Sequence, residues 1–391
     1  MTDPLWSLDP EVTFLNHGSF GACPRPVMAY QGRLRDELEA QPVRFMTRRL
    51  EPLLDAARVS MADFVGADPA GVVFLNNATA GVNTALASFG LRPGDEVLVT
   101  DHGYAACNNA AAHIAAAAGA SVRSVALPFP INDPSQATAA FVDAVTPATR
   151  IAIVDHVTSP SALVLPIAEI AAALKEEGVE TLVDGAHGPG MLALNLTDLD
   201  VAYYTGNCHK WMCAPKGAAF LYTRADLRGQ VRPMSIGHGA TMGDGVRPRL
   251  FHEFDWQGTF DPTAWLSVPV AIETMGKQVE GGWPALRERN RKLALRGRQI
   301  LCETLRLRPP CPDSMIGSMA TLKLPTRSPA YDRTSIHTAC PLHDRVIDEY
   351  GIEVPIATWP TAGDVIVRIS AQLYNNEAQY QRLANVLSGL L

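Results

Sequence analysis

The sequence predicts an α/β protein with a large domain built on a mostly parallel, seven-stranded sheet flanked by helices, and a smaller α+β C-terminal domain. Short runs rich in Val, Ile and Leu alternate with helical segments as far as Tyr222, which is typical of a parallel sheet covered on both faces. The chain of 391 residues also exceeds what one hydrophobic core usually serves. We predict a large domain over residues 17–258 and a small domain formed by residues 1–16 and 259–391.

The order of strand, turn and helix repeats through the large domain. A helical segment over residues 26–64 comes first, and further helices are predicted from about Tyr104, near residues 136–145 and over residues 167–175. Each predicted strand is a short apolar or β-branched run. The seven strands occupy residues 72–75, 96–100, 121–127, 151–155, 181–184, 201–205 and 218–222.

The pattern changes after Tyr222. Residues 234–258 contain five glycines and little periodicity, so a loop is expected there. The small domain is then predicted to contain mainly helix, with two strands and one surface excursion. Its segments are helix over 262–307, strand over 320–324, the excursion over 325–334, helix over 336–350, strand over 365–369 and a last helix from Asn376.

Composition and charge exclude several classes of protein. A formal charge of −7 argues against nucleic acid as the main partner, because phosphate backbones require a concentrated basic face. The seven cysteines are odd in number and show neither a CxxC pair nor zinc-ligand spacing, which predicts reduced thiols in a cytoplasmic protein and no metal site. The apolar stretch 110–118 contains His113 and is too short to span a membrane, so no membrane partner is expected.

A lysine and an aspartate follow two neighbouring predicted strands. Lys210 lies in the segment NCHKW, and Asp184 ends an apolar strand in the segment VDGAH. A lysine amine can form an imine with an aldehyde cofactor, and a buried carboxylate can keep a pyridine nitrogen protonated. The pair therefore indicates pyridoxal 5'-phosphate (PLP). Taken alone, Asp184 would suit a helix N-cap equally well, and a lone lysine is usually solvated, although a Trp-containing apolar neighbourhood is unusual for a solvated lysine.

Two further segments provide what the phosphate and the ring of PLP require. Ala78 and Thr79 follow the strand at 72–75, where the N–H groups of a helix start can bind phosphate. An ordinary N-cap is the alternative. Tyr104 is the first candidate for an aromatic side chain that stacks against the cofactor ring, and His102 is the second. A capping turn is the alternative.

The segments around Asp184 and Lys210 contain further polar side chains. His187 could reach the phenolic oxygen of the cofactor, or could be a satisfied core histidine. Asn207 and His209 are close enough to Lys210 in sequence to add phosphate contacts.

Taken together and in this order, the motifs resemble the class V aminotransferase family of fold type I PLP enzymes, and within it the isopenicillin N epimerase branch. The matching segments are LNHGSFG from residue 15, NNAT from 76, DGAH from 184, HKW from 209 and APKG from 214. The resemblance implies fold type I, Lys210 as the imine lysine and Asp184 as the partner of the pyridine nitrogen. It also implies that Thr79, Asn207 and His209 bind the phosphate and that His187 lies beside the phenolic oxygen.

The same resemblance implies a substrate site and a dimer. Arg368 matches the arginine that binds the substrate α-carboxylate through a bidentate pair, although a structural salt bridge is the alternative for this residue by itself. Asn16 and His17 of the first motif are assigned to the substrate site. Thr259 is expected to reach the phosphate bound by the other subunit, so the active unit should be a homodimer with shared active sites.

The resemblance leaves the reaction open. Cysteine desulfurases of this family have a nucleophilic cysteine shortly before the carboxylate-binding arginine, but residues 356–364 contain none. With Lys210 as general base at Cα, an epimerase needs a second acid, for which Tyr104 or His17 are candidates. A C–S lyase or cysteine desulfhydrase, and an aminotransferase, need no such acid. The leading hypothesis is an amino-acid epimerase, and a non-enzymatic PLP-binding module is disfavoured because Lys210, Asp184, His209 and Arg368 are all retained.

Overall fold

The computed structural model describes residues 4–243, 245, 247–328, 340–361 and 363–391. The strands of these residues, in chain order, are β1 (Thr13–Phe14), β2 (Val72–Leu75), β3 (Glu96–Thr100), β4 (Ser121–Val125), β5 (Thr149–Asp155), β6 (Glu180–Asp184), β7 (Tyr203–Asn207), β8 (Ala219–Thr223), β9 (Met319–Arg327), β10 (Ile352–Glu353), β11 (Ile356–Thr358) and β12 (Asp364–Ser370). The α-helices are α1 (His17–Phe20), α2 (Arg25–Ala40), α3 (Pro42–Arg44), α4 (Leu50–Val65), α5 (Ala78–Phe89), α6 (Ala105–Ala118), α7 (Ser135–Ala144), α8 (Ile167–Glu176), α9 (Leu196–Leu199), α10 (Arg249–Asp255), α11 (Thr263–Leu266), α12 (Val268–Gly276), α13 (Gly282–Leu305), α14 (Pro341–Tyr350) and α15 (Glu377–Leu390).

The central sheet of the described chain has seven strands in the order β2–β8–β7–β6–β5–β3–β4. All of its neighbours pair in parallel except at β8, which is antiparallel to both β7 and β2. Consecutive residues point to opposite faces, so that Val97 and Leu98 of β3 belong to different core clusters. This arrangement confirms the predicted α/β fold with a mostly parallel seven-stranded sheet.

The strand directions determine where functional side chains can meet. Because β3, β5, β6 and β7 are parallel, their carboxyl ends lie at one edge of the sheet. β2 has the same direction, because it pairs antiparallel with β8. Ligands of open α/β sheets bind at this edge, and the segments containing Thr79, Tyr104, Asp184 and Lys210 all begin there.

The C-terminal part contains a three-stranded antiparallel sheet in the order β11–β12–β9. Helices α13 and α15 pack against each other beside it. The N-terminal strand β1 pairs in parallel with β10, so the start of the chain is joined to its C-terminal part. The exact domain limits at residues 16 and 258 stay a prediction.

Several predicted boundaries were wrong. The expected loop over 234–258 contains α10, whose Leu250 and Phe254 are buried one helical turn apart, a short signal that the glycines obscured. The helix expected over 26–64 is interrupted because Gln41, which precedes Pro42, adopts φ −151°, and a residue before proline is disfavoured in a helix. The helix expected over 262–307 is three helices, and Gly281 with φ 89° precedes the last.

Two predicted segments are described only in part. The excursion expected from residue 325 begins as strand, because β9 continues to Arg327, and residues 329–334 lie outside the described residues. The helix expected over 336–350 begins at Pro341 in the described chain, and residues 336–339 lie outside it. Among the described helices, none has the length and apolar character needed to cross a bilayer.

Candidate active site

A cavity of about 360 Å³ opens at the carboxyl edge of the central sheet, a volume within the usual range for small-molecule sites. It brings together most of the predicted site residues. Those that line it are Ala78, Thr79, Tyr104, Asp184, His187, Asn207, His209 and Lys210. The predicted residues Asn16, His17, Thr259 and Arg368 are not among the lining residues.

Lys210 lies on a tightly held turn after β7. The backbone N–H groups of Cys208 and His209 both donate to the Ala218 carbonyl, at 3.0 and 3.2 Å. Gly21 packs against the turn with φ +70°, and a Cβ there would lie 2.3 Å from the His209 carbonyl oxygen. Only glycine suits both that conformation and that approach. The first motif of the sequence therefore supports the lysine turn from behind.

The Lys210 amine is in contact with a neutral histidine. The Trp211 indole N–H donates to His187 Nδ1 at 3.2 Å, and an indole can only donate. The ring proton of His187 must therefore be on Nε2, which lies 3.1 Å from Lys210 Nζ. Burial, with the charge of Lys210, holds the pKa of His187 well below its ordinary value. Burial, with the charge of Arg368, lowers the pKa of Lys210 from 10.5 to about 8, so the neutral amine, which can accept from His187, forms at lower pH than in an ordinary lysine.

Asp184 is a buried carboxylate with hydrogen bonds but no salt bridge to any of the described side chains. It is 3% exposed. Its Oδ1 accepts the Ala186 N–H at 3.0 Å, and its Oδ2 accepts the Cys107 thiol at 3.0 Å. An ionised carboxylate is costly to bury without an opposite charge. The position therefore suits a cationic group at the cavity, such as a protonated pyridine nitrogen.

The start of α5 provides an anion-binding position next to the cavity. The Asn77 side chain accepts the Ala80 N–H, and Asn207 Oδ1 accepts the Ala78 N–H, each at 2.8 Å. Within the described chain the Thr79 N–H has no acceptor. It therefore remains free to donate to a phosphate at the helix N-terminus.

His209 is a phosphate ligand only in one protonation state. Its Nδ1 lies 2.9 Å from the Ala218 carbonyl oxygen, which can only accept, so the proton of a neutral ring is on Nδ1. The neutral ring then presents a lone pair at Nε2, which cannot donate to phosphate. Burial lowers the pKa of His209 to about 4. The predicted contact thus requires the anion itself to favour the imidazolium.

Tyr104, and not His102, is placed to cover a ring in the cavity. Tyr104 precedes α6, lines the cavity and is 47% exposed. His102 is 1% exposed and packs edge-on against Phe129 and Trp359, with its Nδ1 2.7 Å from Ser161 Oγ. His102, the second candidate for stacking against the cofactor ring, is therefore a core histidine.

Arg368 lies behind the cavity wall and has an N–H donor that is not used within the described chain. On β12 it donates to the Ser159 carbonyl at 2.6 Å and to Ser19 Oγ at 3.2 Å, and both serines line the cavity. The residue is 8% exposed, its Nε has no hydrogen-bond partner, and no carboxylate of the described residues pairs with it. The alternative of a structural salt bridge is therefore unsupported, and an anionic ligand would supply the missing charge.

The structure gives His17 and Asn16 indirect roles. His17 is 0% exposed, and its ring nitrogens lie 2.8 Å from the Tyr374 hydroxyl and 3.1 Å from the Lys210 carbonyl oxygen. The ring is therefore enclosed and does not line the cavity, and substrate contact or acid catalysis by His17 stays a prediction. Asn16 accepts the Ser19 hydroxyl at 2.5 Å and so orients a residue that holds Arg368. Thr259 is exposed, and its contact with the partner subunit stays a prediction.

The comparison with known proteins identifies the family. Residues 24–307 match the model of the family described as Aminotransferase class-V. The chain belongs to the class V aminotransferase family. Isopenicillin N epimerase of Amycolatopsis lactamdurans is 35% identical to it over 399 residues, covering 98% of this chain and 96% of that protein. The probable L-cysteine desulfhydrase, chloroplastic, of Arabidopsis thaliana is 29% identical over 404 residues, covering 98% and 84%.

A solved structure supports the fold of this class V family member. A variant of C-DES with glycine covalently linked to its PLP cofactor superposes with a TM-score of 0.79 at 21% identity, covering 97% of both chains. The predicted fold type I is thereby confirmed. Membership of the class V family also confirms PLP as the cofactor, and the cavity fits it through the Lys210 amine, the Asp184 carboxylate without a salt bridge and the free Thr79 N–H.

Sequence reasoning missed four residues of the site in this family member. Asp155 ends β5 just as Asp184 ends β6, so the same rule would have found it. Cys107 donates to Asp184 from α6. Ser19 and Ser159 hold Arg368 across long sequence separations, and no local pattern signals such contacts.

The lowered pKa of Lys210 predicts unusual reactivity in the cofactor-free protein. Only the neutral amine is acylated, so labelling of Lys210 by an amine-reactive reagent should rise with pH to a midpoint near 8. Peptide mass spectrometry of briefly labelled protein measures this, and the same peptide in urea is the control, where the ordinary value of 10.5 should return. A folded-state midpoint equal to that in urea would contradict the assigned burial.

Proposed function

We propose that this protein is an amino-acid epimerase that removes the Cα proton of its substrate and returns it from the opposite side. When bound, PLP supplies an electron sink that makes this proton acidic. The observation that carries the proposal is that two groups able to carry a proton, the Lys210 amine and the Tyr104 phenol, line the same cavity. Isopenicillin N epimerases of two organisms, 35% and 33% identical over nearly the whole chain, support this choice.

The two groups enter the cavity from different sides. Tyr104 follows β3 and Lys210 follows β7, and β5 and β6 lie between these strands in the sheet. Arg368 donates to Ser159 and Ser19, which line the same cavity as Tyr104. A Cα held between Arg368 and Lys210 would then lie within reach of both proton carriers.

Each remaining residue has a role in moving or holding charge. Arg368 would orient the α-carboxylate through a bidentate pair. Lys210 would take the Cα proton, and His187, with its proton on Nε2, would hold the amine in place at 3.1 Å. Asp184 would keep the pyridine nitrogen protonated. The N–H of Thr79 would hold the phosphate at the start of α5.

Exchange of the Cα proton tests the proposal. The PLP-loaded protein is incubated with single L-amino acids and with dipeptides carrying a free α-amino acid end, in deuterated water. Gain of deuterium at Cα together with loss of optical activity is expected for at least one compound. Stereochemically pure product that carries deuterium, or the absence of exchange with every compound, would contradict epimerisation.

Replacement of Tyr104 by phenylalanine separates the two proton transfers. Because Lys210 remains, Tyr104→Phe should still exchange the Cα proton, whereas the rate of inversion should fall by about 10²- to 10⁴-fold, the usual contribution of a positioned acid. Chiral chromatography and proton NMR measure the two rates. Tyr203→Phe is a matched control, because Tyr203 is a buried residue of β7 whose hydroxyl has no hydrogen-bond partner among the residues that the structure describes. Unchanged rates of both exchange and inversion in Tyr104→Phe would contradict acid catalysis by the phenol and assign Tyr104 to ring binding alone.

A C–S lyase of the desulfhydrase type is the second candidate. Relatives named as L-cysteine desulfhydrases are 27% to 31% identical over most of the chain, and this chemistry needs no second acid. Release of hydrogen sulfide, pyruvate and ammonia from cysteine would favour it. An aminotransferase is the third candidate and is recognised by a dependence on an added keto acid.

We also propose a cytoplasmic homodimer. Thr259 is exposed and adjacent to Gly258 with φ 119°, in a position open to a second subunit. All seven cysteines are free and buried, as suits a reducing compartment. Analytical ultracentrifugation of the loaded protein tests the dimer, and a monomer with full activity would contradict a shared site.

A further inference from the structure

Asp155 and Asp184 end two neighbouring strands of the central sheet. β5 and β6 are parallel, and Asp155 is the register partner of Asp184, so their side chains lie on the same face of the sheet. The two residues are 5% and 3% exposed. Both line the cavity. The cofactor site therefore contains a second buried carboxyl group next to the one that was predicted.

The two carboxyl groups differ in their hydrogen bonds. Asp184 accepts the Ala186 N–H and the Cys107 thiol, both at 3.0 Å. Asp155 accepts the Tyr104 N–H at the longer distance of 3.3 Å. Because hydrogen bonds to an anion stabilise it, Asp184 is the better supported carboxylate of the two.

The charges that face the pair cannot neutralise two anions. Lys210, from the turn after β7, is one cation that acts on both carboxyl groups. Cys107, from α6, stays a neutral thiol, because burial and then the charge of Asp184 raise its pKa. Tyr104 presents its backbone N–H to Asp155. Adjacent carboxylates in a buried site hold one proton between them, since ionising both would bring like charges together.

We propose that Asp155 and Asp184 form a carboxyl pair in which Asp155 keeps one proton at neutral pH, so that Asp184 is the single carboxylate facing the cofactor's pyridine nitrogen. In agreement, burial and then the charge of Asp184 raise the pKa of Asp155 well above its ordinary value. Asp155 is thus a positioning residue. Its neutral O–H can donate within the cavity, and it adds no second negative charge to repel the substrate carboxylate or the phosphate. This benefit for catalysis rests on the proposed function, but the protonation state does not.

Infrared spectroscopy of the cofactor-free protein tests the pair directly. At about pH 7, where an ordinary aspartate is ionised, the wild type should show the carbonyl band of a protonated carboxylic acid, and Asp155→Asn should lack it. Asp184→Asn should move the loss of this band to lower pH, because the neighbouring charge is gone. Asp226→Asn is the matched control and should leave the band unchanged, because hydrogen bonding to Arg224 lowers the pKa of Asp226. A difference spectrum of Asp155→Asn containing only carboxylate bands would overturn the proposal.

Stability measured against pH gives a second readout. A raised folded-state pKa means that the folded protein binds more protons than the unfolded chain, so stability is full below the unfolded value and is lost as pH rises toward the folded value. Asp155→Asn removes this loss. As pH rises above the ordinary aspartate value of about 4, the ratio of folded to unfolded protein in the variant should therefore gain on the wild type by up to about tenfold per pH unit. Parallel pH profiles of the two proteins would count against the pair.

The protonation state of the pair can also be measured in the wild type if Asp155→Asn does not fold. Wild-type protein labelled with carbon-13 at its aspartate side chains should show an isotope-shifted carboxylic acid band at about pH 7, and the absence of any such band would overturn the proposal. The outcome is also separable from that of the Cα exchange test. A carboxylic acid band without exchange would leave the pair standing and reject the epimerase, whereas exchange without the band would do the reverse.

Discussion

Replacing Lys210 by alanine is expected to abolish covalent cofactor attachment and to lower the rate of Cα proton exchange by at least about 10²- to 10⁴-fold, the usual contribution of a positioned general base. The amine is the group through which we propose that PLP binds covalently, and it is the base proposed to take the Cα proton. Its surroundings, the Trp211 and His187 rings and the turn after β7, would remain. Borohydride reduction followed by peptide mass spectrometry measures the attachment, and solvent deuterium incorporation measures the exchange.

Lys216 provides a matched control for this experiment. It lies on the same segment, its side chain donates to the Gly21 carbonyl at 2.7 Å, and it does not line the cavity. Lys216→Gln should therefore retain the cofactor at Lys210. Attachment that survives in Lys210→Ala, or that moves to another lysine, would refute the assigned site.

Removal of the Arg368 charge is expected to have the second largest effect. Arg368→Leu should lower kcat/KM for amino acids by roughly 30-fold to several thousand-fold, corresponding to about 2–5 kcal/mol for loss of one partner of a buried charge pair. Arg368→Lys should recover only part of this, because an ammonium cannot form the bidentate pair. Steady-state kinetics measure both, and cofactor absorbance and circular dichroism verify that the variants are folded and loaded.

A substrate analogue makes the test specific for carboxylate binding. An amine that lacks the α-carboxylate cannot pair with Arg368, so its slow turnover or binding should be nearly the same in wild type and Arg368→Leu. Equal losses for the amino acid and the amine would mean that Arg368 supports the wall formed by Ser19 and Ser159 and does not bind substrate.

The position of a site residue could be predicted from the sequence when that residue lies at or just after the end of a strand. Asp184 and Lys210 each follow an apolar run, and the parallel sheet brings such ends to one edge, so a local pattern was sufficient. Asp155 ends β5 in the same way, but its place beside Asp184 depends on the register between β5 and β6. The loop assigned to 234–258 failed for another reason, since α10 is only Arg249–Asp255 and a two-turn helix gives a weak periodic signal.

Contacts between distant parts of the chain were beyond any local pattern. The His17 ring faces the Lys210 carbonyl from a helix of four residues, and its enclosure by Tyr374 depends on the C-terminal part. Likewise, whether His209 donates to phosphate depends on which nitrogen faces the Ala218 carbonyl. Sequence motifs gave the identity of these residues but not their hydrogen-bond partners.

The pairing of β1 with β10, together with the bond from Arg368 to Ser19, means that segments more than 300 residues apart meet beside the pocket. During synthesis, Lys210 emerges well before Arg368, and β1 has no strand to join until β10 has followed. A nascent or truncated chain that lacks β10 and β12 therefore lacks these contacts, and its lysine is without the arginine charge that helps to lower its pKa.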